Sequence, residues 1–267
     1  MRKRLTERFP WLLPVRRRQR ILFFYIGMRF DRKPYAYVQS SEALPEVIFT
    51  SSCPVFNEKT GFDMIYQENK LHNLRLAARK INGLLIRPGE TFSFWNRVRH
   101  ADKDVPYKDA LTEINGVLQT EYGGGLCMLS NMLNWICLHS PLTLTERHGH
   151  FKKDFPEPES DALVGVDATV AEGWKDFCVR NDTKMTFQIG IAFDDNNIIG
   201  TVFASDDPRC QYVVKNENLH YAKAGNAVTE TVDVIRNTID PHTGKLLSHD
   251  LIYQNRCLIG YETDLSL

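Results

Sequence analysis

Gly123-Gly124-Gly125-Leu126-Cys127-Met128-Leu129-Ser130-Asn131 is the stretch from which the rest of the chain can be read. Three consecutive glycines reach backbone angles closed to other residues and let another group approach the main chain, so they form a tight turn. Beyond them Leu126, Leu129, Leu133 and Ile136 recur at three- and four-residue spacing, which predicts a helix with an apolar face running to about His139. Cys127 then falls in the first turn, where free N–H groups and the positive end of the helix dipole favour a thiolate. That placement suits a nucleophile, although a lone helical cysteine is also a common packing residue. Cys137, ten residues on, falls on another part of the wheel and reads as packing.

The helix is followed by Pro141 and an alternating stretch, Leu142 to Arg147, that reads as a strand. It leads into Glu146-Arg147-His148-Gly149-His150. In extended chain, residues two apart share a face, so His148 and His150 are expected on one side with Glu146. They are candidates for a general base and an orienting partner. Asp167, in Gly165-Val166-Asp167-Ala168-Thr169-Val170, reads as a strand residue able to orient a histidine, or as a turn aspartate.

Upstream, Leu44 to Thr50 reads as a strand and Asn69 to Lys80 as a helix with Lys70, Arg75, Arg79 and Lys80 outward, stopped by Asn82-Gly83. Leu84 to Ile86 is a buried strand, and Thr91 to Asn96 a second one with Phe92 and Phe94 on one core-facing side. Asn115-Gly116 signals a turn, and residues 152–161 a loop. From Phe177 on, strand follows strand: Phe177 to Asn181, Thr186 to Phe193, Ile198 to Ala204, Gln211 to Val214, Val228 to Asn237 and His249 to Gln254. Asp194 to Asn197 and Pro241 to Gly244 are turns between them. That half carries no chemical constellation.

The 267 residues are 43% hydrophobic and hold 33 basic and 33 acidic side chains, so charge gives no argument for nucleic acid. The balance is uneven along the chain. Arg2, Lys3, Arg4, Arg8, Arg16, Arg17, Arg18, Arg20, Arg29, Arg32 and Lys33 stand against only Glu7 and Asp31 in the first 33 residues. With Phe9, Trp11 and the apolar run Ile21 to Met28, residues 1–34 are a candidate for weak peripheral contact with anionic lipid. The alternative is that Ile21 to Met28 forms a strand or short helix of the core. The six cysteines lack paired spacing and read as reduced thiols. No export signal or membrane-length apolar run is read, so a cytoplasmic location, at the inner face of the membrane if the basic segment docks there, is expected.

Taken together, Gly89-Glu90-Thr91-Phe92-Ser93-Phe94-Trp95, Tyr122 to Asn131, Glu146 to His150 and Asp167 to Val170 resemble the VanW family, closely from Gly89 to about Phe203 and more loosely elsewhere. With its basic segment, the chain is similar to the accessory member found in vancomycin-resistance clusters of the vanB type. The resemblance implies a role in glycopeptide resistance, with a peptidoglycan precursor or stem peptide as partner. Exported relatives act as L,D-transpeptidases through the cysteine of the glycine motif. Carried over, Cys127 is the nucleophile of an acyl transfer, His148 or His150 passes the proton with Asp167 behind it, and N–H groups of Gly125 to Met128 hold the oxyanion. Gly123, Gly124, Gly125, Met128, Ser130, Asn131, Trp95 and Arg147 are the expected substrate contacts. The family commonly has glutamine after the cysteine, whereas Met128 has no N–H to donate.

Two other readings stay open: a non-catalytic module binding precursor or glycopeptide, and a zinc site of Cys127, His148, His150 and Asp167, which lacks the short ligand spacing of structural zinc. No cofactor is expected. The expected fold is α+β: a helix-start cysteine on a mostly antiparallel sheet, with a β-rich C-terminal half. Residues 1–60 are the basic segment and first strands, 61–205 the family-like domain with the Cys/His site, and 206–267 a β-hairpin tail packed on it.

Overall fold

The computed structural model describes residues 9–114, 117–225 and 227–262. Its centre is a four-stranded antiparallel sheet in the order β1-β10-β9-β2, built from β1 (Glu46–Pro54), β10 (Asn197–Ala204), β9 (Phe187–Phe193) and β2 (Leu84–Ile86). Alternation along β10 turns Ile198, Gly200, Val202 and Ala204 inward, as a half-buried strand requires. The helix predicted from the glycine stretch is α4 (Cys127–Leu138), and it lies across this sheet. Gly200 makes the approach possible: a Cβ there would fall 2.7 Å from Met132 and 3.2 Å from Ile136.

The sequence suggested one apolar face for α4, but the helix is buried nearly all round. Leu129, Met132, Leu133 and Ile136 join the main core, while Trp135 and Leu138 belong to a second cluster with Val166, Val214 and Val234. The second cluster leads to a sheet of β11 (Gln211–Ala224), β12 (Ala227–Ile239) and β13 (Leu246–Ile259), with the two-residue strand β7 (Lys152–Lys153) parallel to β13. These strands run well beyond the stretches expected from sequence. Asp194 and Asp240 make the predicted turns by accepting backbone N–H groups of the following residues.

A third sheet, β3-β8-β6, joins β3 (Thr91–Ser93), β8 (Cys178–Arg180) and β6 (Thr143–Glu146); β4 (Asp109–Ile114) and β5 (Val117–Tyr122) pair as a hairpin. The turn expected at Asn115-Gly116 lies outside the described residues. The fold is therefore α+β, mostly antiparallel, with strand dominating the C-terminal half.

Three local expectations are corrected. Phe94 is not a strand partner of Phe92: Ser93 caps a short helix, α3 (Phe94–Val98), by accepting the Asn96 N–H, and both rings are buried all the same. Residues 165–170 belong to no ladder: Gly165 is in a turn at φ +80°, and the N–H groups of Ala168 and Thr169 are held by the Asn131 side chain and the His148 carbonyl. Ile21 to Met28 is not a strand: it lies within α1 (Leu13–Phe30), a helix with no fully buried residue, which touches the main core through Phe24. The predicted 69–80 helix is α2 (Ile65–Ala78), and Gly83, at φ +78°, turns the chain into β2.

Candidate functional site

Each glycine of the turn has its own physical reason. Gly124 sits against the β4 backbone, where a Cβ would be 2.1 Å from the Ala110 oxygen. Gly123 and Gly125 have φ of +74° and +85°, and a Cβ on Gly125 would strike the Lys70 side chain at 2.5 Å. The turn thus delivers Cys127 to the start of α4 at the wall of a cleft of about 1410 Å³. The N–H groups of Gly123, Gly124 and Met128 are spent on the carbonyls of Lys108, Glu121 and Gly125. Those of Gly125, Leu126 and Cys127 have no acceptor among the described residues, which narrows the expected oxyanion donors to these three.

The half-buried Cys127 Sγ lies 3.4 Å from Thr169 Oγ1 and 3.8 Å from the Val170 oxygen. His150 acts on it as well. The His150 Nδ1 is 2.8 Å from Asp167 Oδ2, and the ring sits near enough to the sulfur for its polar and charge interactions to bear on the thiol. Asp167 Oδ2 also accepts the His150 backbone N–H at 2.6 Å, fixing main chain and ring together. Burial by itself would push the thiol up; the hydrogen bond and charge of His150 outweigh it and hold the thiol below its ordinary value. Burial likewise disfavours the charged imidazole, and the bonds from Asp167 and Cys127 carry it well above the ordinary histidine value. Asp167, despite burial, is held far below the usual carboxylate range, chiefly by His150 and Arg147. The three groups stand in the order carboxylate, imidazole and thiol, with His150 biased toward its charged form and Cys127 toward its thiolate.

Other expected site residues are placed differently. His148 does not share the His150 face: its Nε2 meets Glu146 Oε1 at 3.0 Å, and its carbonyl accepts the Thr169 N–H. The backbone over residues 147–150 is not a ladder strand, so the two-residue alternation on which the pairing rested does not apply. Arg147 is not free for substrate. Its side chain is 7% exposed, bonded to the Gly165 and Asp167 carbonyls, to Asp167 Oδ1 and to Asn255, and covered by the Tyr253 ring at 4.3 Å. Ser130 is fully buried, donating to the Cys127 and Ala168 carbonyls, so it cannot meet a ligand either.

Asn131 lines the cleft while accepting the Ala168 N–H at 2.7 Å. Met128 and Trp95 also line it, the indole N–H of Trp95 being taken by the Lys175 carbonyl. The zinc reading loses its ligand set with His148 turned away, and among the described residues no group of three or more metal-type side chains is assembled.

Several cleft residues carry no sequence signal. Lys70, assigned to the outer face of its helix, turns into the cleft instead; its Nζ donates to Gln67 Oε1 at 2.6 Å, and burial pushes its pKa down to about 8. The Tyr107 hydroxyl and Trp135 indole N–H are buried at the cleft without a partner among the described residues. Asn255 and Tyr253, on β13, support Arg147 from a half of the chain that looked chemically empty.

The family model described as "VanW like protein" matches residues 69–203. The "Vancomycin B-type resistance protein VanW" of Enterococcus faecalis (strain ATCC 700802 / V583) is 53% identical over 260 residues, 97% of this chain and 94% of the relative. The "Uncharacterized protein YoaR" of Bacillus subtilis (strain 168) is 30% identical over 139 residues, 52% of this chain and 44% of that protein. No solved structure matches. With half its length under the family model and nearly all of it aligned to a relative of that name, the chain belongs to the VanW family.

Proposed function

We propose that this protein is an accessory factor of glycopeptide resistance that transfers acyl groups of peptidoglycan precursors or stem peptides through Cys127. The observation that carries the reading is the Cys127, His150, Asp167 chain opening on the cleft. The Cys127 thiolate attacks an amide or ester carbonyl carbon; the oxyanion that forms faces the free N–H groups of Gly125, Leu126 and Cys127. His150, already protonated, gives its proton to the departing amine or alcohol as the old bond breaks, leaving a thioester on Cys127. An acceptor amine or water then adds to the thioester carbonyl, His150 takes the incoming group's proton, and the thiolate leaves. Asp167 keeps the ring oriented and supports its charge.

Substrate binding draws on the groups left without partners. The Lys70 ammonium, bonded to the Gln67 amide oxygen, has no carboxylate beside it among the described residues and suits the terminal carboxylate of a stem peptide, while Tyr107 and Trp135 offer donors to its amide carbonyls. Intact-protein mass spectrometry after incubation with a stem-peptide mimic tests the proposal. Wild type should gain the mass of the acyl fragment, and Cys127→Ala should not. Equal labelling of both, or unchanged resistance in a Cys127→Ser strain, refutes acyl transfer at Cys127 and leaves a binding module.

A further inference from the structure

Helix α1 has two unlike sides. Ile21, Phe24, Tyr25 and Met28, at helical spacing, are its half-buried residues and face the body. There Ile21 lies against Gly173, Phe24 packs on the main core, and the Tyr25 hydroxyl donates to Glu172 at 2.8 Å. Arg17 meets Glu121 at 3.6 Å, and Arg20 lies over the Trp174 ring at 5.4 Å.

The opposite side is apolar and bare. Val15, Leu22, Ile26 and Phe30 follow one another at seven- and four-residue steps with Phe23 beside them, and they are 59%, 57%, 41%, 74% and 59% exposed in that order. The stripe is about 22 Å long at 1.5 Å per residue. Exposed Gln19 interrupts it between Val15 and Leu22, and from Leu22 to Phe30 it is an apolar strip of the kind a chain rarely leaves open to water.

We infer that this face of α1 docks on an anionic lipid surface, lying in the plane of the headgroups. The choice of occupant follows from charge. Arg16, Arg18 and Arg29 flank the stripe and are exposed, with Arg32 and Lys33 just beyond its end. Asp31, the nearby acid, is already engaged by Lys33 and Tyr35. A second copy laid antiparallel on the stripe would set Arg16 and Arg18 against Arg29 and Arg32, like charge on like, whereas an anionic surface meets both clusters favourably. Crossing the bilayer does not fit, because no described helix is long and apolar enough to span one.

The same helix supplies Leu13, Arg16, Arg17 and Arg20 to the cleft wall, so docking holds the cleft mouth beside the headgroup layer. If the acyl-transfer reading stands, on which this clause rests, the substrate class is a lipid-borne precursor rather than a free peptide.

Co-sedimentation of the full chain with phosphatidylcholine vesicles, with and without phosphatidylglycerol, tests the docking independently of any activity. Wild type should pellet with the phosphatidylglycerol vesicles, less so as salt rises, and not with phosphatidylcholine alone. The Leu22→Glu/Ile26→Glu variant should remain soluble and folded, since these side chains rest on nothing, and should lose binding. Arg18→Ala and Arg29→Ala should each weaken it about fivefold. Failure of wild type to pellet, or pelleting unchanged in the double variant, overturns the inference. So does a wild-type dimer in analytical ultracentrifugation that the double variant dissolves, which would make a second copy the occupant.

Discussion

Asp167 is the member of the site whose replacement has the most calculable result. Its carboxylate accepts the Arg147 Nη2 at 3.2 Å, the His150 N–H at 2.6 Å and the His150 ring at 2.8 Å, with only 4% of the side chain exposed. Asp167→Ala removes all three bonds and leaves the Arg147 guanidinium buried without its counter-charge. Breaking a buried pair in this way costs about 3–5 kcal/mol. At roughly 2–4 °C per kcal/mol for a chain of this size, the melting temperature should fall by about 6–20 °C.

Asp167→Asn keeps an acceptor for the backbone and should fall by less, but it removes the anion that holds His150 charged. The imidazole value then drops, and the Cys127 thiol rises toward its ordinary value of about 8.5. Each unit of rise cuts the thiolate fraction about tenfold at pH values below the midpoint. The assay is iodoacetamide alkylation against pH, with Cys127 followed by peptide mapping. Burial pushes Cys53 up to about 11 and Cys137 and Cys257 up to about 12, so these stay quiet near neutrality. Wild-type Cys127 should alkylate with a midpoint below that of an ordinary thiol, and the Asn variant only at higher pH. An unchanged profile would refute the claim that Asp167 acts on the sulfur through His150.

Acid stability should follow the same residue. Because its folded value lies below the unfolded one, Asp167 stabilises fully above about pH 3.9, and that contribution drains as pH falls toward the folded value, so Asp167→Asn should flatten acid unfolding followed by circular dichroism. Lys70→Met should weaken binding of a stem peptide with a free terminal carboxylate by about 10–100-fold, the worth of one charge-assisted bond, and leave its amidated form unaffected in calorimetry on the Cys127→Ala protein. Gly124→Ala must displace the β4 backbone and should cost about 1–3 kcal/mol in urea melts, whereas Gly27→Ala, with open space around it and a helical φ, should cost nothing.

How far the sequence could be read follows from the range of the interactions. The glycine turn, the start of α4 and most strands are local events, set by backbone freedom and by periods of two and 3.6 residues. The His148 expectation failed for a local reason as well: alternation holds only where the chain is laddered, and the chain over 147–150 is held by single hydrogen bonds to Thr169 and the Asp167 side chain instead. The stretch Ile21 to Met28 is apolar enough for a core, and only the packing of the rest decides that half of its surface is left over. Lys70 could not be placed from its own helix, because the groove it enters is made by a turn more than fifty residues away.

The half of the chain without chemical residues in evidence turns out to be what sets the chemistry. Asn255 Oδ1 accepts Arg147 Nη1 at 2.8 Å, and Tyr253 covers the guanidinium; Arg147 in turn fixes Asp167, Asp167 fixes His150, and His150 determines the charge on Cys127. Asn255→Leu therefore touches neither cleft nor sulfur, yet it removes one acceptor from a buried cation, at about 1.5–3 kcal/mol. It should loosen Arg147 and move the Cys127 alkylation midpoint in the same direction as Asp167→Asn, by less. If it lowered the melting temperature and left that midpoint where it was, β13 would be a scaffold alone, and the support of the thiolate would end at Asp167.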